Sequence, residues 1–370
     1  MKTFEQIHLA HQWDEVKESI YNKTAADVER ALAASRTDLE DYKALVSPAA
    51  QPYLEQMAIK SRAITQQRFG KTIQMYIPLY LSNACANGCV YCGFSHSNDI
   101  KRITLTADQV MEEVKVIKGM GFQHLLLVTG EHPAQCGFKY LKEMVELVKP
   151  HFAHVSIEVQ PMNQEEYEQL ILLGLNTVYV YQETYNRDNY KMYHPKGKKS
   201  NFGYRLATPE RLGDAGIHKI GMGCLLGLED WRTDSFFTAW HLDYLEKQYW
   251  RTKFSVSFPR LRPHAGSFQP NVDVGDKELA QLIMAYRLFK PDVDLSLSTR
   301  ESQVFRDHML QLGVTAMSAG SKTEPGGYAV YTQALEQFSV ADARSPKEMC
   351  DMIRNGGYEP VWKDWDACMQ

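Results

Sequence analysis

Residues 74–92 read QMYIPLYLSNACANGCVYC, an apolar and aromatic run that leads directly into three closely spaced cysteines. The run over 74–81 predicts a buried strand. Cys85, Cys89 and Cys92 then follow with C-x3-C-x2-C spacing, whereas the other four of the seven cysteines stand alone. A disulfide framework is typical of short secreted chains with an even number of cysteines. The pattern therefore indicates a thiolate metal site on the loop after the first strand.

Outward from this stretch, strand-like runs alternate with helical segments. The clearest helix starts are the capping-box patterns of Thr106 with Gln109 and Asn163 with Glu166, and Thr208 followed by a proline. Helix ends are indicated where a glycine precedes an apolar residue, at positions 121, 174, 216 and 313. We predict eight strands, over residues 74–81, 124–129, 154–160, 177–182, 219–225, 254–258, 294–299 and 314–318.

Strands separated by helices predict a parallel sheet with right-handed crossovers. Eight such units fit a (β/α)8 barrel, and an open doubly wound sheet fits the same alternation. We expect the barrel in residues 72–320, with an N-terminal helical extension over 1–71, clearest at 25–34 and 53–68, and a C-terminal extension over 321–370, both packed on the barrel. In a barrel, the cysteine loop would lie on the C-terminal face, where active sites occur.

Composition and charge exclude several classes of function. The chain has 370 residues, of which 44% are hydrophobic and 23% charged, as in a globular protein. A net charge of −4 argues against general binding to nucleic acid or to a membrane surface. The sequence contains no apolar run of about 18 residues, the length that would predict a membrane span. The first residues do not resemble a signal peptide. We therefore expect a cytoplasmic enzyme.

Three thiolates on one loop suit either zinc or an iron–sulfur cluster. His96, four residues after Cys92, could complete a Cys3His zinc site. Alternatively, three cysteines can hold three irons of a four-iron cluster and leave the fourth iron open to an outside ligand. An open metal position indicates chemistry rather than a structural role alone.

The C-x3-C-x-aromatic-C motif, with Tyr91 as the aromatic residue, resembles the signature of the radical S-adenosylmethionine (SAM) superfamily. The resemblance implies a 4Fe-4S cluster on Cys85, Cys89 and Cys92. Its open iron would bind SAM, which the reduced cluster cleaves to a 5′-deoxyadenosyl radical. Residues 129–131 (TGE) resemble a Gly-Gly-Glu element, and residues 223–230 (GCLLGLED) resemble the element beside the adenine. The implied SAM contacts are Tyr91, Thr129, Gly130, Glu131, Glu158, Arg205 and Leu225.

Further stretches are similar to the 2-iminoacetate synthase family, the tyrosine lyases of thiamine thiazole biosynthesis. They are IPLYLSNACANGCVYCGFS, HLLLVTGEH, VYQETY, KIGMG, VSFPRLRP, LSLSTRES and GGYA, and the similarity runs from KTAADVERAL to PVWKDWD. The resemblance implies hydrogen abstraction from the amino group of L-tyrosine and cleavage of its Cα–Cβ bond to 2-iminoacetate and p-cresol, with SAM consumed. Implied partners are a thiazole synthase and a low-potential electron donor such as flavodoxin.

Ser298, Thr299 and Arg300 end the seventh predicted strand, where related tyrosine lyases hold the substrate carboxylate. A guanidinium can clamp a carboxylate with two hydrogen bonds; alternatively, Arg300 pairs with Glu301 or another acid. The run over 191–199 predicts a solvated loop, with partner docking as the alternative. Other candidates for substrate or partner contacts are Tyr181, Glu183, Tyr185, Arg260 and Arg262.

Five rival functions remain open to test. A hydrogenase maturase would share the barrel, but that family carries a C-terminal C-x2-C…C motif, whereas this tail has only Cys350 and Cys368. A deazaflavin-cofactor synthase subunit or a tryptophan lyase would share the first cluster. A zinc module would use His96. A nicotinamide oxidoreductase is disfavoured because no G-x-G-x-x-G stretch follows a strand.

Overall fold

In the computed structural model, which describes residues 2–331 and 336–363, eight parallel strands close into a barrel. Strand β1 (Thr72–Ser82) pairs with β8 (Ala316–Ser318) on one side and with β2 (His124–Thr129) on the other, which closes the ring. The predicted barrel is therefore confirmed, and the open doubly wound sheet is excluded. Strands β1 to β8 span Thr72–Ser82, His124–Thr129, His154–Glu158, Thr177–Tyr179, Lys219–Met222, Lys253–Ser257, Asp294–Leu297 and Ala316–Ser318.

Several strands leave the ladder two or three residues before their predicted ends. The apolar pattern continues past the ladder because the rim remains buried, with Val180 6% and Leu225 5% exposed. After β4 the chain turns at Glu183, whose φ of 72° is positive, a conformation costly for a residue with a side chain. The main-chain N–H of Leu225 donates to the Glu183 carbonyl at 2.8 Å. The extra residues thus form the wall of a site rather than the barrel.

Helices connect the strands on the outside of the barrel. Glycines 121, 174, 216 and 313 all have positive φ, which confirms the predicted helix ends. The capping boxes of Thr106 and Asn163 are also confirmed. The helices between β1 and β8 are α6 Ala107–Gly119, α7 Pro133–Cys136, α8 Phe138–Val148, α9 Gln164–Leu172, α10 Arg187–Tyr193, α11 Phe202–Leu206, α12 Thr208–Asp214, α13 Trp231–Gln248, α14 Asp276–Phe289 and α15 Gln303–Met309.

One predicted helix start is displaced by one residue. Helix α12 begins at Thr208 itself, and Ala207 occupies the cap position without a side-chain cap. The Thr208 hydroxyl donates to the Tyr204 carbonyl at 3.1 Å, because α11 runs almost directly into α12. A short 3-10 turn, Lys198–Ser200, precedes these two helices, and others occur at Pro48–Tyr53 and Lys149–His151.

Segments at both ends of the chain pack on the barrel, as expected. In the N-terminal segment, α4 (Leu39–Val46) and α5 (Leu54–Phe69) contact α14, and the Tyr42 ring lies 5.2 Å from that of Tyr286. The N-terminal helices are α1 Phe4–Leu9, α2 Trp13–Tyr21, α3 Ala25–Ala33, α4 Leu39–Val46 and α5 Leu54–Phe69.

The C-terminal segment contributes helix α16, Pro346–Asn355, and a ninth strand that the sequence did not predict. This strand, β9 (Glu359–Val361), pairs in parallel with the beginning of β1, so it lies at the end of the barrel opposite the cysteine loop. It is too short, and too dependent on a distant partner, to show a strand pattern of its own. Trp365 and Cys368 lie outside the described residues. No helix among the residues described could cross a membrane.

Candidate active site

The cysteine loop follows β1 on the C-terminal face of the barrel, as predicted. Cys89 is buried, while Cys85 and Cys92 are half-buried, and all three line one cavity. Main-chain hydrogen bonds tie the loop to its neighbours: Ala86 N–H donates to the Glu131 carbonyl at 2.9 Å, and Gly88 N–H donates to the Lys196 carbonyl at 3.0 Å. The thiols therefore face the cavity from a loop that is held on two sides.

The loop fits an iron–sulfur cluster better than a mononuclear zinc site. His96 is exposed and does not line the cavity, which removes the fourth ligand of the Cys3His alternative. Among the residues described, no three His, Cys, Asp or Glu side chains converge on a single ion, whereas a cluster spreads its thiolates more widely. Gly130, directly after β2, allows the chain there to pack closely against the start of the cysteine loop, because a Cβ at this position would lie 2.2 Å from the Ala84 carbonyl oxygen.

Burial raises the pKa of the Cys89 and Cys92 thiols above the ordinary cysteine value. Neither thiol would therefore ionise readily without a partner. A metal cluster supplies the positive charge that stabilises buried thiolates. The donor set consequently favours metal loading over free nucleophilic cysteines.

Beside the thiols lies a buried network of two cations and two carboxylates. Arg205 donates to Glu131 at 2.9 Å, and Lys199 donates to Glu183 at 2.6 Å. A second carboxylate–guanidinium distance, between Glu183 and Arg205, is 3.7 Å. Asn87 completes the network by donating to Glu131 at 2.7 Å. Burial opposes ionisation of Glu131, but Arg205 and Lys199 hold its pKa below the ordinary value. Neighbouring carboxylates raise the pKa values of Lys199 and Arg205, so these two side chains and Glu131 remain charged inside the cavity at neutral pH.

Tyr91 is positioned by a neutral histidine. Its hydroxyl lies 2.7 Å from His194 Nε2, and His194 Nδ1 lies 2.9 Å from the Tyr190 carbonyl oxygen. Burial lowers the pKa of His194 to about 2, so the ring carries one proton. Because Nδ1 must donate to the carbonyl, Nε2 accepts from the Tyr91 hydroxyl. The Tyr91 ring is thereby fixed at the cavity wall.

A second cavity inside the barrel contains Ser298, Thr299 and Arg300 among its lining residues. Tyr181, Glu158 and Arg300 line both cavities, so the two spaces adjoin. Burial raises the pKa of Glu158 to about 7, although Arg300 opposes the shift. The aromatic and hydroxyl lining of the second cavity includes Tyr76, Tyr80, Tyr179, Ser296 and Ser318.

Arg300 has no carboxylate within ion-pairing distance in the described part of the chain. Its guanidinium lies 3.4 Å from the ring centroid of Phe338. The neighbouring Glu301 points elsewhere: it pairs closely with Arg260 and accepts from Arg262 at 2.8 Å. The alternative pairing of Arg300 with Glu301 is therefore wrong, because two other arginines already neutralise that buried carboxylate.

The other candidates divide between the site and the surrounding structure. Tyr181, Glu183 and Arg262 line the first cavity. Tyr185 does not line either cavity; its hydroxyl contacts His241 Nδ1 at 3.1 Å within an aromatic core. Arg260 is occupied by Glu301 and Asp276. The structure thus removes Tyr185 and Arg260 from the residues that could contact substrate directly.

Several residues that line the first cavity were not among the candidates from the sequence, including Asn87, Lys199, Gln337 and Phe338. The expectation of a solvated loop over 191–199 is wrong at both ends, since α10 extends to Tyr193 and the Lys199 side chain is only 11% exposed. Gln337 lies with Nε2 3.7 Å from Cys92 Sγ, 245 positions along the chain. No local sequence pattern predicts a contact between residues so far apart in the chain. For Lys199, a signal was available in the sequence: the run over 191–199 contains four lysines and no acidic residue.

Comparisons with known proteins agree with this geometry. The radical SAM superfamily matches residues 79–237, and the biotin and thiamin synthesis associated domain matches residues 257–359. The chain is 50% identical to the 2-iminoacetate synthases of Salmonella typhimurium strain LT2 and Escherichia coli strain K12, over 99% of this chain and 98% of each relative. It is 29% identical to the solved FeFe-hydrogenase maturase HydG from Carboxydothermus hydrogenoformans, with a TM-score of 0.91, covering 98% of this chain and 86% of that one. This protein belongs to the 2-iminoacetate synthase family of the radical SAM superfamily.

Proposed function

We propose that the protein cleaves the Cα–Cβ bond of L-tyrosine to give 2-iminoacetate and p-cresol, while SAM is converted to methionine and 5′-deoxyadenosine. The observation that carries the proposal is the pair of adjoining cavities: the first contains three thiols beside a buried charge network, and at the second lies Arg300, which has no carboxylate partner among the residues that the structure describes. The 50% identity over nearly the whole of both chains supports the same reaction.

Cys85, Cys89 and Cys92 would hold a 4Fe-4S cluster, which, once reduced, supplies the electron that cleaves SAM to the 5′-deoxyadenosyl radical. Two charges of the network suit the amino-acid end of SAM, since Glu131 can accept from an ammonium and Arg205 can donate to a carboxylate. Leu225 offers an apolar surface for the adenine. The remaining proposed SAM contacts are Tyr91, Thr129, Gly130 and Glu158.

Arg300 would bind the tyrosine carboxylate, assisted by the hydroxyls of Ser298 and Thr299. Its stacking on Phe338 holds the guanidinium plane while leaving the donor edge free for a bidentate contact. The aromatic wall of the second cavity would receive the phenol ring. In this arrangement the amino group would face the shared boundary at Glu158, next to the cavity that would hold SAM. Closure by the barrel excludes water from radicals and from the labile imine.

The reaction requires partners as well as cofactors. We propose that a low-potential electron donor such as flavodoxin reduces the cluster and that a thiazole synthase receives 2-iminoacetate before water destroys it. Both partners would be met in the cytoplasm. The net charge of −4 supports the absence of nucleic acid among the partners.

The decisive experiment uses protein with a reconstituted and reduced cluster, kept anaerobic, with SAM and L-tyrosine. Chromatography should show p-cresol and 5′-deoxyadenosine rising together. 5′-Deoxyadenosine without p-cresol would retain the radical SAM assignment and refute the substrate. Neither product from protein with verified iron and sulfide would refute the function. Cyanide formation would indicate maturase-type breakdown of the fragment instead.

A further inference from the structure

A stretch of chain that carries only positive charges lies beside the cysteine loop. Residues 189–205 carry five basic residues and no acidic one, although the whole protein has a net charge of −4. Two of the five, Lys199 and Arg205, turn inward and bind carboxylates of the site. The other three, Lys191, Lys196 and Lys198, are exposed, and none makes an ion pair with the residues described. We call these three side chains the lysine face.

The backbone that carries the lysine face rests directly on the cysteine loop. Val90 N–H donates to the Tyr193 carbonyl at 3.1 Å, next to the bond from Gly88 to the Lys196 carbonyl. The Lys199 N–H donates to Asn87 Oδ1 at 3.1 Å. At Gly197, with a φ of 93°, a Cβ would come within 2.1 Å of that same oxygen. The backbone over 193–199 is therefore held against the loop that bears the thiols, and it carries Lys196 and Lys198 there.

Apolar surface accompanies the charges. Val90, which lies between Cys89 and Tyr91 in the sequence, is 37% exposed, and Met192 on α10 is 58% exposed. An apolar centre surrounded by charged side chains is the composition of many transient protein interfaces. A protein that docked here would contact the cysteine loop itself.

We propose that the lysine face is the docking site of an acidic one-electron donor protein. The inference rests on the proposed function, because it assumes a redox cluster on the three cysteines. The donor loses one electron and the cluster gains it, so no other reactant is needed. Opposite charge raises the encounter rate and orients the donor. A donor docked on this face would touch the cysteine loop, so the electron would have only that loop to cross before it reached the cluster.

The same geometry disfavours a thiazole synthase as the occupant. A protein that receives 2-iminoacetate should meet an opening of the tyrosine cavity. The lining of that second cavity includes neither the cysteine loop nor residues 190–200. The lysine face thus fits a protein that reduces the cluster better than one that receives the product.

The test compares K191E/K196E/K198E, called the patch variant because it alters the lysine face, with a matched control. The control, K17E/K71E/K115E, makes the same charge change at exposed lysines elsewhere. A purified flavodoxin of strongly negative charge is the probe. At low salt, we expect the patch variant to bind flavodoxin at least 10-fold more weakly and to be reduced by it correspondingly slowly, with the control unchanged. The difference should vanish near 1 M salt, where charges are screened within about 3 Å.

Dithionite separates docking from chemistry. With this small reductant in excess, both variants should form p-cresol as the unaltered protein does. If the patch variant fails with dithionite as well, the neutral K191Q/K196Q/K198Q variant replaces it, with a smaller loss of flavodoxin binding expected. Unchanged flavodoxin affinity and salt dependence would overturn the proposal, as would weakened binding of thiazole synthase alone. Absence of p-cresol from the unaltered protein with dithionite would instead refute the proposed function.

Discussion

Replacing Arg300 by lysine keeps the positive charge but removes the planar pair of donors. In the structure this guanidinium has no carboxylate partner among the residues described, and it lies 3.4 Å from the centroid of Phe338. Its donors are therefore available to a ligand, and the aromatic ring fixes their plane. We expect Arg300→Lys to weaken binding of tyrosine while leaving SAM binding unchanged.

The magnitude follows from the hydrogen bond that is lost. A hydrogen bond to a charged group contributes about 1.5–3 kcal/mol, and each 1.4 kcal/mol is about tenfold in affinity. The lysine ammonium retains one such bond, so we expect the KM for tyrosine to rise by roughly 10- to 100-fold. Because the carboxylate contact is the same in the ground state and the transition state, kcat should change much less.

The assay follows p-cresol under anaerobic conditions at varied tyrosine and saturating SAM. Arg68→Lys is the control, since Arg68 lies at the opposite end of the barrel and is 48% exposed. An unchanged KM for tyrosine in Arg300→Lys, or a rise in the KM for SAM instead, would refute the assignment of Arg300 to the tyrosine carboxylate.

Three further changes test the rest of the site. Cys92→Ala should lower bound iron and acid-labile sulfide and abolish 5′-deoxyadenosine formation; full turnover would contradict the cluster assignment. Arg205→Lys should raise the KM for SAM about tenfold, with that for tyrosine unaffected, and equal SAM kinetics would remove Arg205 from the cofactor site. Burial raises the pKa of Glu158 to about 7, so its carboxyl stabilises the fold fully only below about pH 4.3, and this contribution is lost as pH rises to about 7. Thermal melts should therefore show the unaltered protein losing up to about 3 kcal/mol relative to Glu158→Gln across this range; parallel melting curves would contradict the buried carboxyl.

Local chemistry and periodicity were sufficient for much of the fold. Glycine at positions such as 121 and 313 ends a helix because it adopts positive φ at low cost, which depends on no distant residue. The apolar runs located all eight barrel strands, but their ends were less predictable. Around Glu183 the chain remains buried after it leaves the ladder, so hydrophobicity does not mark the boundary. The β9 strand was missed because its pairing partner, β1, is far away in sequence.

The sequence by itself determined the thiol loop, its place directly after the first strand, and the alternation of strands with helices, whereas the closure of the sheet was shown only by the pairing of β1 with β8. The first three follow from spacing and period, which are local properties. Only the tertiary structure decided which charges pair. Packing assigns Glu301 to Arg260 and Arg262, which leaves Arg300 available, and it turns Lys199 inward onto Glu183. It also brings Phe338 under Arg300. The physical reason is that several opposite charges lie within reach along the chain, and burial and geometry select among them.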